Sequence, residues 1–363
     1  MYLEWLTLSG FRSHTSLEWR PDSQVNVLVG DNGAGKTNLL EAVSYLASLR
    51  SFRGSPDEAL VGHDAESAVI RGSIVHPETS TLIEIELRRR GSRRVQVNRQ
   101  RLQRSADLLG HVRIVAFLPE DLDVVKRGPA YRRDLLDDAA VQLWPSAYTE
   151  QMEFERALRQ RNAFLKQGAD DPMTLAVWDE RMAQAAGRLA VRRFRTLEAI
   201  RTHLERAYRD VAEEDAVVDL DYRSDWAPGT GVDIPVPMLV DAMQGSLDRS
   251  RRIDRERRVT TSGPHRDEPT FVLGGHDARH QASQGEQRTL ALAVRLAIHR
   301  AITEIAVPPI LLLDDVFSEL DPSRARALTG ALPATQTLIT TADPAHVPLQ
   351  GRTWRVGPEG VTG

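Results

Sequence analysis

Short apolar runs dominate the first third of the chain and predict β-strands. The predicted strands are residues 3–8, 25–29, 67–75, 81–89 and 112–117. Residues 93–100 are expected to pair with the fourth of these strands across a turn at Gly91 and Ser92. From Asn38, apolar residues recur at helical spacing, so a helix is expected soon after the second strand.

Helical periodicity takes over in the middle of the chain, from about Gly128. The predicted helical segments are residues 130–166, 173–214 and 236–257, with loops at 168–172 and 227–237. Strand and loop signals return at Val259, followed by a predicted helix over residues 289–302 and buried strands at 310–313 and 336–340. The pattern predicts an α/β domain built from residues 1–127 and 259–363, with an inserted mainly helical lobe at 128–258.

The composition narrows the class of protein. The chain has 363 residues and 41% hydrophobic residues, enough for two domains with buried cores. It has no cysteine, which excludes disulfides, thiolate zinc sites and cysteine nucleophiles. The net charge of −4 means that any nucleic-acid contact must come from a local basic patch. Without a membrane-length apolar run or a signal-peptide layout, the chain is expected to be soluble and intracellular.

The first candidate site is a glycine-rich loop between the second predicted strand and the helix that follows it. Its residues are Gly30, Asp31, Asn32, Gly33, Ala34, Gly35, Lys36 and Thr37, which fit the phosphate-loop pattern G-x-x-x-x-G-K-[ST]. The glycines let backbone N–H groups face phosphate oxygens. Lys36 would neutralise the β- and γ-phosphates of ATP, and Thr37 would ligate Mg²⁺. The alternative is a glycine-rich turn that merely caps the helix.

Two further segments complete the predicted nucleotide site. Asp314 follows an apolar tetrad and could hold Mg²⁺, and the neighbouring Asp315 could orient or deprotonate the attacking water. Ser283 and Gly285 stand at a predicted helix start that could bind a γ-phosphate. One chain already has one phosphate loop, so the second phosphate-binding helix start is explained if it serves another copy. The alternatives are a solvated turn for the aspartates and a simple helix cap for Ser283.

The order of these segments resembles ABC-type ATPases, and blocks along nearly the whole chain resemble the bacterial RecF family. The blocks are LTLSGFRSHTSLEW, NVLVGDNGAGKTNLLEAVSYL, RSFR, PEDLDVVKRGPAYRRDLLD, SGPHRDEP, SQGEQRTLALAVRLA and LLLDDVFSELD. The resemblance implies an ABC-type ATPase head with an inserted helical domain and no long coiled coil. It also implies that Arg12 and Asn38 help bind the nucleotide, and that Ser283, Gln284, Gly285, Gln287 and Asp321 act on the nucleotide of a second copy.

The functional implications of the resemblance are specific. ATP binding would drive homodimerisation on DNA at single-strand/double-strand junctions of gaps. The chain would act with RecO and RecR to load RecA during DNA repair, replication and the SOS response, in the cytoplasm at the nucleoid. Weak, DNA-dependent ATP hydrolysis would release the complex. The alternatives are an ATPase subunit of a transporter or of another SMC-like complex, and an ATP-binding scaffold without significant turnover.

The chain departs from the superfamily pattern in the hydrolysis machinery. Asp315 stands where ABC ATPases carry glutamate, which suggests slow hydrolysis. Glu120 or Asp121 is expected to replace the superfamily glutamine, and His346 lies too far along the chain to be the switch histidine. Arg127 falls where the family pattern commonly has glycine.

A basic segment is the candidate DNA contact. Eight arginines occur between Arg88 and Arg104, with no acidic residue before Asp107. The residues expected to follow a DNA backbone are Arg88, Arg89, Arg90, Arg93 and Arg94. The alternative is an edge strand protected by charge. His265 and Arg266 belong to a block shared with the family, but the sequence assigns them no role.

Overall fold

The structure is a computed structural model that describes residues 1–168, 171–357 and 359–363. Residues 169 and 170 of the predicted loop 168–172, and Pro358, therefore lie outside the described residues. The strands are β1 Tyr2–Phe11, β2 His14–Trp19, β3 Val25–Val29, β4 Ser67–Val75, β5 Ser80–Arg88, β6 Arg94–Val97, β7 Gln100–Arg101, β8 Ile114–Phe117, β9 Val218–Arg223, β10 Glu268–Leu273, β11 His276–Asp277, β12 Ile310–Asp314, β13 Thr337–Thr341, β14 Arg352–Gly357 and β15 Gly360–Thr362.

The helices are α1 Lys36–Ser48, α2 Asp57–Leu60, α3 Leu122–Lys126, α4 Pro129–Leu143, α5 Ala147–Gln167, α6 Pro172–Ala212, α7 Val236–Arg257, α8 Ala278–Gln281, α9 Gln284–Ile305 and α10 Pro322–Ala331. Most predicted elements are present with shifted ends. The predicted helix 130–166 is two helices, because Pro145 follows α4 and disfavours helical backbone at Trp144.

The chain divides into two compact units. Unit 1 consists of Met1–Asp121, Arg206–Asp215 and Leu292–Gly363, and unit 2 of Leu122–Glu205 and Ala216–Ala291. These boundaries differ from the predicted ones, since residues 259–291 belong to the unit that contains the helical lobe. The physical reason is backbone pairing: β10 pairs antiparallel with β9 from Glu268 opposite Arg223 to Leu273 opposite Val218. Unit 2 therefore contains a three-stranded sheet, in the order β11-β10-β9, besides its helices.

Unit 1 contains two six-stranded sheets and helix α1. One sheet has the order β2-β1-β4-β5-β6-β7 with antiparallel pairing, and the other has the order β15-β14-β3-β13-β12-β8. In the second sheet β14, β3, β13, β12 and β8 are parallel. Helix α1 contacts strands of both sheets and is buried on nearly every face, which explains its apolar sequence.

The parallel pairing of β3, β12 and β13 brings the candidate site residues at their carboxyl ends together. Ile310 to Leu313 of β12 are fully buried, as expected for a strand covered on both faces. The carboxyl ends of β3, β12 and β13 lie at the same edge of the sheet because the three strands are parallel. The phosphate loop, the two aspartates and Thr340 therefore meet at one edge, which is where ligands bind in such sheets.

Candidate nucleotide site

The predicted phosphate loop connects β3 to α1 as expected. Gly33 and Gly35 have φ angles of 86° and 97°, in the left-handed region that a side chain disfavours. A Cβ on Gly35 would also lie 2.8 Å from Cε1 of His14, whose ring nitrogen donates to the Gly35 carbonyl oxygen at 3.1 Å. Nζ of Lys36 donates to the carbonyl oxygens of Gly30 and Asp31 at 2.6 and 3.0 Å. The lysine therefore lies along its own loop, at the start of α1.

Thr37 and Asp314 meet across the site. The hydroxyl of Thr37 donates to Oδ1 of Asp314 at 2.9 Å, and the hydroxyl of Thr340 donates to the same oxygen at 2.6 Å. Burial raises the pKa of Asp314 above its ordinary value, while hydrogen bonds from Thr340 and Thr37 and the charge of Arg53 oppose that rise. The two residues predicted to hold Mg²⁺ are therefore joined directly, although they are far apart in the sequence.

Asp315 has a constrained main chain and a free carboxylate oxygen. Its φ is 51°, a conformation uncommon for a residue other than glycine. Its N–H donates to the carbonyl and hydroxyl oxygens of Thr340 at 3.2 and 3.0 Å, and Ser318 donates to its carbonyl oxygen at 2.7 Å. Its Oδ1 is buried without a hydrogen-bond partner among the described residues. Such an oxygen is available to accept a proton or a hydrogen bond from a reactant.

The two oxygen-donor residues fit a magnesium ion. Mg²⁺ takes one or two protein carboxylates and usually keeps several waters, so a hydroxyl beside one carboxylate matches its chemistry. Within the described ranges, no group of three or more His, Cys, Asp or Glu side chains is arranged to hold a metal. The carboxylate–hydroxyl pair of Asp314 and Thr37 is therefore the candidate metal site.

An open cavity of about 450 Å³ adjoins the phosphate loop in unit 1. It is lined by Arg12, Ser13, Asn38, Ala59, His63 and Arg89, among others. The guanidinium of Arg12 is held by the buried carboxylate of Glu41 at 2.9 and 3.0 Å. Asn38 donates to Ser13 at 2.9 Å and accepts from Arg53 at 3.2 Å. Arg12 and Asn38, predicted from the resemblance, thus lie beside the phosphate loop.

The residues predicted to act on the nucleotide of a second copy lie at or near the N-termini of helices α9 and α10. In unit 2, the N–H of Ser283 donates to Glu286 at 2.7 Å, and the N–H of Glu286 donates to the Ser283 hydroxyl at 3.3 Å. This reciprocal capping box leaves Ser283 exposed at the start of α9. Gln284 is exposed and Gly285 half-buried, whereas Gln287 is buried and donates to carbonyl oxygens of α8. In unit 1, Asp321 caps α10 by accepting from Ser323 and Arg324. Their action on a second copy stays a prediction.

The predicted basic hairpin is present, but its arginines have intramolecular partners. Arg88 and Arg94 form ion pairs with Glu86 at 2.8 and 3.7 Å. Arg89 donates to the carbonyl oxygens of Gly62, His63 and Ala65. Arg93 donates to the Tyr45 hydroxyl at 2.7 Å and to the carbonyl oxygen of Leu49 at the end of α1. Only Arg90 of this predicted set is exposed without such a partner in the described chain. DNA binding by this set stays a prediction, and the contacts of Arg89 and Arg93 favour a structural role.

Several residues near the site were missed by sequence reasoning. Thr340 ends a predicted strand, and its hydroxyl contacts are formed only by strand pairing. Arg53 belongs to the shared block RSFR, which carries no predicted role, yet its charge lowers the pKa of Asp314. Of the two candidates for the superfamily glutamine, Asp121 is buried and paired with Arg295 at 2.5 Å, whereas Glu120 is exposed. His346 lies in the short turn Pro344–His346 beyond β13.

Two shared blocks without a predicted role come together inside unit 2. Arg132 and Arg133 donate to the carbonyl oxygens of Pro269 and Asp267. The carboxylate of Asp267 accepts from the Tyr222 hydroxyl at 2.6 Å and from Nε1 of Trp226 at 3.0 Å. These hydrogen bonds join α4 to β10 and β9. The arginines of the block PEDLDVVKRGPAYRRDLLD and the aspartate of the block SGPHRDEP (here called the GPHRD block) therefore hold unit 2 together.

Comparisons with known proteins agree over almost the whole chain. The family described as RecF/RecN/SMC N terminal domain matches residues 2–356. DNA replication and repair protein RecF of Arthrobacter sp. (strain FB24) is 38% identical, with 99% of this chain and 98% of that protein covered. The protein of the same name from Acidothermus cellulolyticus (strain ATCC 43068 / DSM 8971 / 11B) is 39% identical, with 97% of each covered.

Solved structures give the same result. The recombination mediator protein RecF-ATPrS in the RecFOR pathway has a TM-score of 0.92 and 29% identity, covering 99% of this chain and 97% of that chain. An SMC head bound to the C-winged helix domain of ScpA has a TM-score of 0.56 at 17% identity, covering 98% and 94%, and shares the fold. The predicted ABC-type ATPase head without a long coiled coil is confirmed. Because the family model, the full-length relatives and the solved structures agree over nearly all residues, the chain belongs to the RecF family of SMC-type ATPases.

Proposed function

We propose that the chain is an ATP-dependent DNA-binding protein of replication and repair, with slow ATP hydrolysis. The observation that carries the ATP part is the 2.9 Å hydrogen bond from Thr37 at the start of α1 to Asp314 at the end of β12. It brings the phosphate loop and the acidic strand into a single site. The solved relative described as RecF-ATP, 28% identical to this chain, supports the same ligand.

Each residue of the proposed site has a distinct task. Lys36 neutralises phosphate oxygens, and the curved loop presents backbone N–H groups to them. Thr37 and Asp314 would hold Mg²⁺, which neutralises phosphate charge when bound. The unpartnered Oδ1 of Asp315 accepts a hydrogen bond from the attacking water and then its proton. The shorter side chain of aspartate compared with glutamate supports slow turnover.

In this proposal two copies of the chain close on two nucleotides. Ser283 and Gly285 of one copy contact the γ-phosphate bound by the other copy, with Gln284, Gln287 and Asp321 nearby. The exposure of Ser283 at the N-terminus of a 22-residue helix supports this role, because such a helix start attracts anions. The Ser283 hydroxyl oxygen accepts from the N–H of Glu286 at 3.3 Å, so its own O–H stays available to donate to a phosphate oxygen.

The biological role is proposed from the relatives named for DNA replication and repair and for the RecFOR pathway. The dimer would bind gapped DNA at the single-strand/double-strand junction in the cytoplasm, at the nucleoid. It would act with RecO and RecR to load RecA, and DNA-stimulated hydrolysis would release it.

Size-resolved binding of gapped duplex, with and without ATP and Mg²⁺, tests this proposal. The wild type should bind as a dimer with ATP and as a monomer without it. Lys36→Ala should lose ATP binding and the dimer, whereas Asp315→Asn should keep both and hydrolyse ATP at least tenfold more slowly. An ATP-independent complex of constant size, or unchanged turnover in Asp315→Asn, would contradict the assigned roles.

Two alternative functions remain open to experiment. A transporter ATPase would need a membrane partner, and among the described residues no helix is long and apolar enough to cross a membrane. A scaffold without turnover would bind ATP and dimerise but release no phosphate in the presence of gapped DNA. Steady-state phosphate release distinguishes that alternative from the proposed ATPase.

A further inference from the structure

The turn between β6 and β7 has an unusual residue at its tip. Asn98 and Arg99 have φ angles of 50° and 66°, and they alone separate Val97 from Gln100. Two-residue hairpin turns with both φ angles positive favour asparagine followed by glycine. Asn98 fits, since its Oδ1 accepts from the N–H of Leu82 at 2.9 Å. Arg99 occupies the glycine position, where a Cβ is unfavourable.

The charge around this tip is unbalanced. Arg99 and Arg101 are exposed, and neither has an ion-pair partner in the part of the chain that the structure describes. The acidic residues of β5, the strand that pairs with β6, are already paired: Glu84 with Arg71 at 2.9 Å, and Glu86 with Arg88 at 2.8 Å. Gln96 stands opposite Arg101 and carries no charge. The tip, residues 98–101, therefore presents two free guanidinium groups.

Protection of a sheet edge explains only part of this arrangement. β7 is the edge strand of its sheet, and an exposed charge at Arg101 would discourage pairing with another strand. Arg99 lies in the turn, where it protects no edge, and glycine would satisfy the backbone better. Unfavourable backbone conformations that persist in a fold are concentrated at functional positions. A long cationic side chain at that position therefore points to a ligand.

We propose that Arg99 and Arg101 form a contact for the phosphate backbone of duplex DNA, an inference that rests on the proposed function. Guanidinium groups match phosphate oxygens in charge and geometry. The contact lies at the tip of the β6–β7 hairpin and not at Arg89 and Arg93, whose donors bind carbonyl and hydroxyl oxygens of the chain. The two arginines at the tip keep their donors for a ligand.

The decisive variant is Arg99→Gly, because it separates stability from binding. Glycine accepts the turn conformation, so the melting temperature should be unchanged or higher. If one phosphate contact is lost, the affinity for a duplex should fall about fivefold at 0.15 M salt, and the log–log salt slope should decrease by about 0.9. The double variant Arg99→Gly/Arg101→Gln should lose about twice that slope. Fluorescence anisotropy over a salt series, with the whole 363-residue chain and ATP, measures both quantities.

Two controls distinguish a contact from a general effect of charge or folding. Arg326→Ala removes the same charge from an exposed position on α10 and should leave the salt slope unchanged. Arg93→Ala should lower the melting temperature, because it removes the bonds to Tyr45 and Leu49, and should also keep the slope.

The outcomes that overturn the inference are distinct from failure of the proposed function. A wild-type protein without salt-dependent duplex binding contradicts the proposed function itself. If the wild type binds and Arg99→Gly binds equally well with the same slope, only the contact at the tip is wrong. Reduced binding of polyglutamate with unchanged binding of duplex DNA would overturn it in favour of an acidic protein partner.

Discussion

At the scale of single residues, Thr340 organises both aspartates of the candidate site. Its hydroxyl donates to Asp314 at 2.6 Å and accepts from the N–H of Asp315 at 3.0 Å. Asp314 is buried, so a lost donor would leave its carboxylate partly unsatisfied. Asp315 has an unfavourable φ, which needs such support from neighbouring groups. Thr340 is therefore expected to be a positioning residue that acts through the aspartates.

Thr340→Val should separate nucleotide binding from turnover. Valine keeps the shape of the strand residue but removes the hydroxyl, so Asp315 would be held less firmly. We expect nearly unchanged ATP binding and single-turnover hydrolysis slowed about tenfold, equivalent to roughly 1.4 kcal/mol of activation free energy. Thr340→Ser should restore most of the rate. A purely structural role would instead lower ATP binding and turnover together, without rescue of turnover by serine.

At the scale of elements, unit 2 is held by polar groups buried between its helices and its small sheet. Arg193 is paired with Asp137 at 2.7 Å and donates to the carbonyl oxygen of Pro264 at 2.7 Å. His265 packs against Phe154, and its Nε2 donates to the carbonyl oxygen of Thr260 at 3.1 Å. The GPHRD block is therefore a junction of α5, α6, β10 and the segment after α7. These contacts support a structural role for the block in unit 2.

The buried His265 of this junction predicts that the free energy of unfolding depends on pH. Burial lowers the pKa of His265 from its ordinary 6.5 to about 4, and the charges of Arg266, Arg133 and Arg193 act in the same direction. Below pH 6.5 the unfolded chain gains a proton at this histidine and the folded chain does not. Stability should therefore decrease as the pH falls from about 6.5 to about 4, by roughly 1 kcal/mol per pH unit within that window.

Melting temperatures of wild type and His265→Gln at pH 7 and pH 5 test the effect. Glutamine can keep a donor to Thr260 but does not titrate, so the variant should lose less stability between the two pH values. His346→Gln, at an exposed position, should behave as the wild type does. An equal loss in His265→Gln and the wild type would remove His265 from this account.

At the scale of the whole molecule, the proposed dimer predicts how a mixture of two inactive variants should behave. Lys36→Ala removes phosphate binding in its own copy but keeps Ser283, and Ser283→Arg does the reverse. If Ser283 acts on the nucleotide of the other copy, a mixed dimer has one intact site, formed by the loop of Ser283→Arg and the helix start of Lys36→Ala. Mixing the two inactive variants should therefore restore part of the DNA-stimulated hydrolysis.

ATP hydrolysis should be measured at several ratios of the two variants. Activity should be highest near equal amounts and absent for either variant alone. Mixtures of Lys36→Ala with the double variant Lys36→Ala/Ser283→Arg contain no intact loop and should stay inactive. If the mixture of single variants shows only the sum of the two separate activities, action of Ser283 on a second copy is wrong.

Neighbouring residues determine local backbone shape, and to that extent the sequence alone predicted the candidate nucleotide site. The phosphate loop, helix α1 and the buried strand β12 follow from glycine positions and hydrophobic spacing, which act over a few residues. The family blocks added Arg12 and Asn38, which line the cavity beside the loop, while their binding of a nucleotide stays a prediction. The ABC-type fold was also predictable, because these blocks extend over nearly the whole chain.

Only the tertiary structure decided what the long side chains contact and which segments belong together. Thr340 reaches the aspartates because β13 pairs with β12 in a particular register, and residues 259–291 join unit 2 because β10 pairs with β9. Arg93, expected to contact DNA, also donates to groups at the end of α1, and its contact with DNA stays a prediction. Strand order and register depend on contacts between residues that are distant in sequence, and an arginine side chain reaches any of several acceptors. Neither is specified by local spacing. The same run of arginines therefore separates only after folding into residues with partners inside the described chain and three without, Arg90, Arg99 and Arg101.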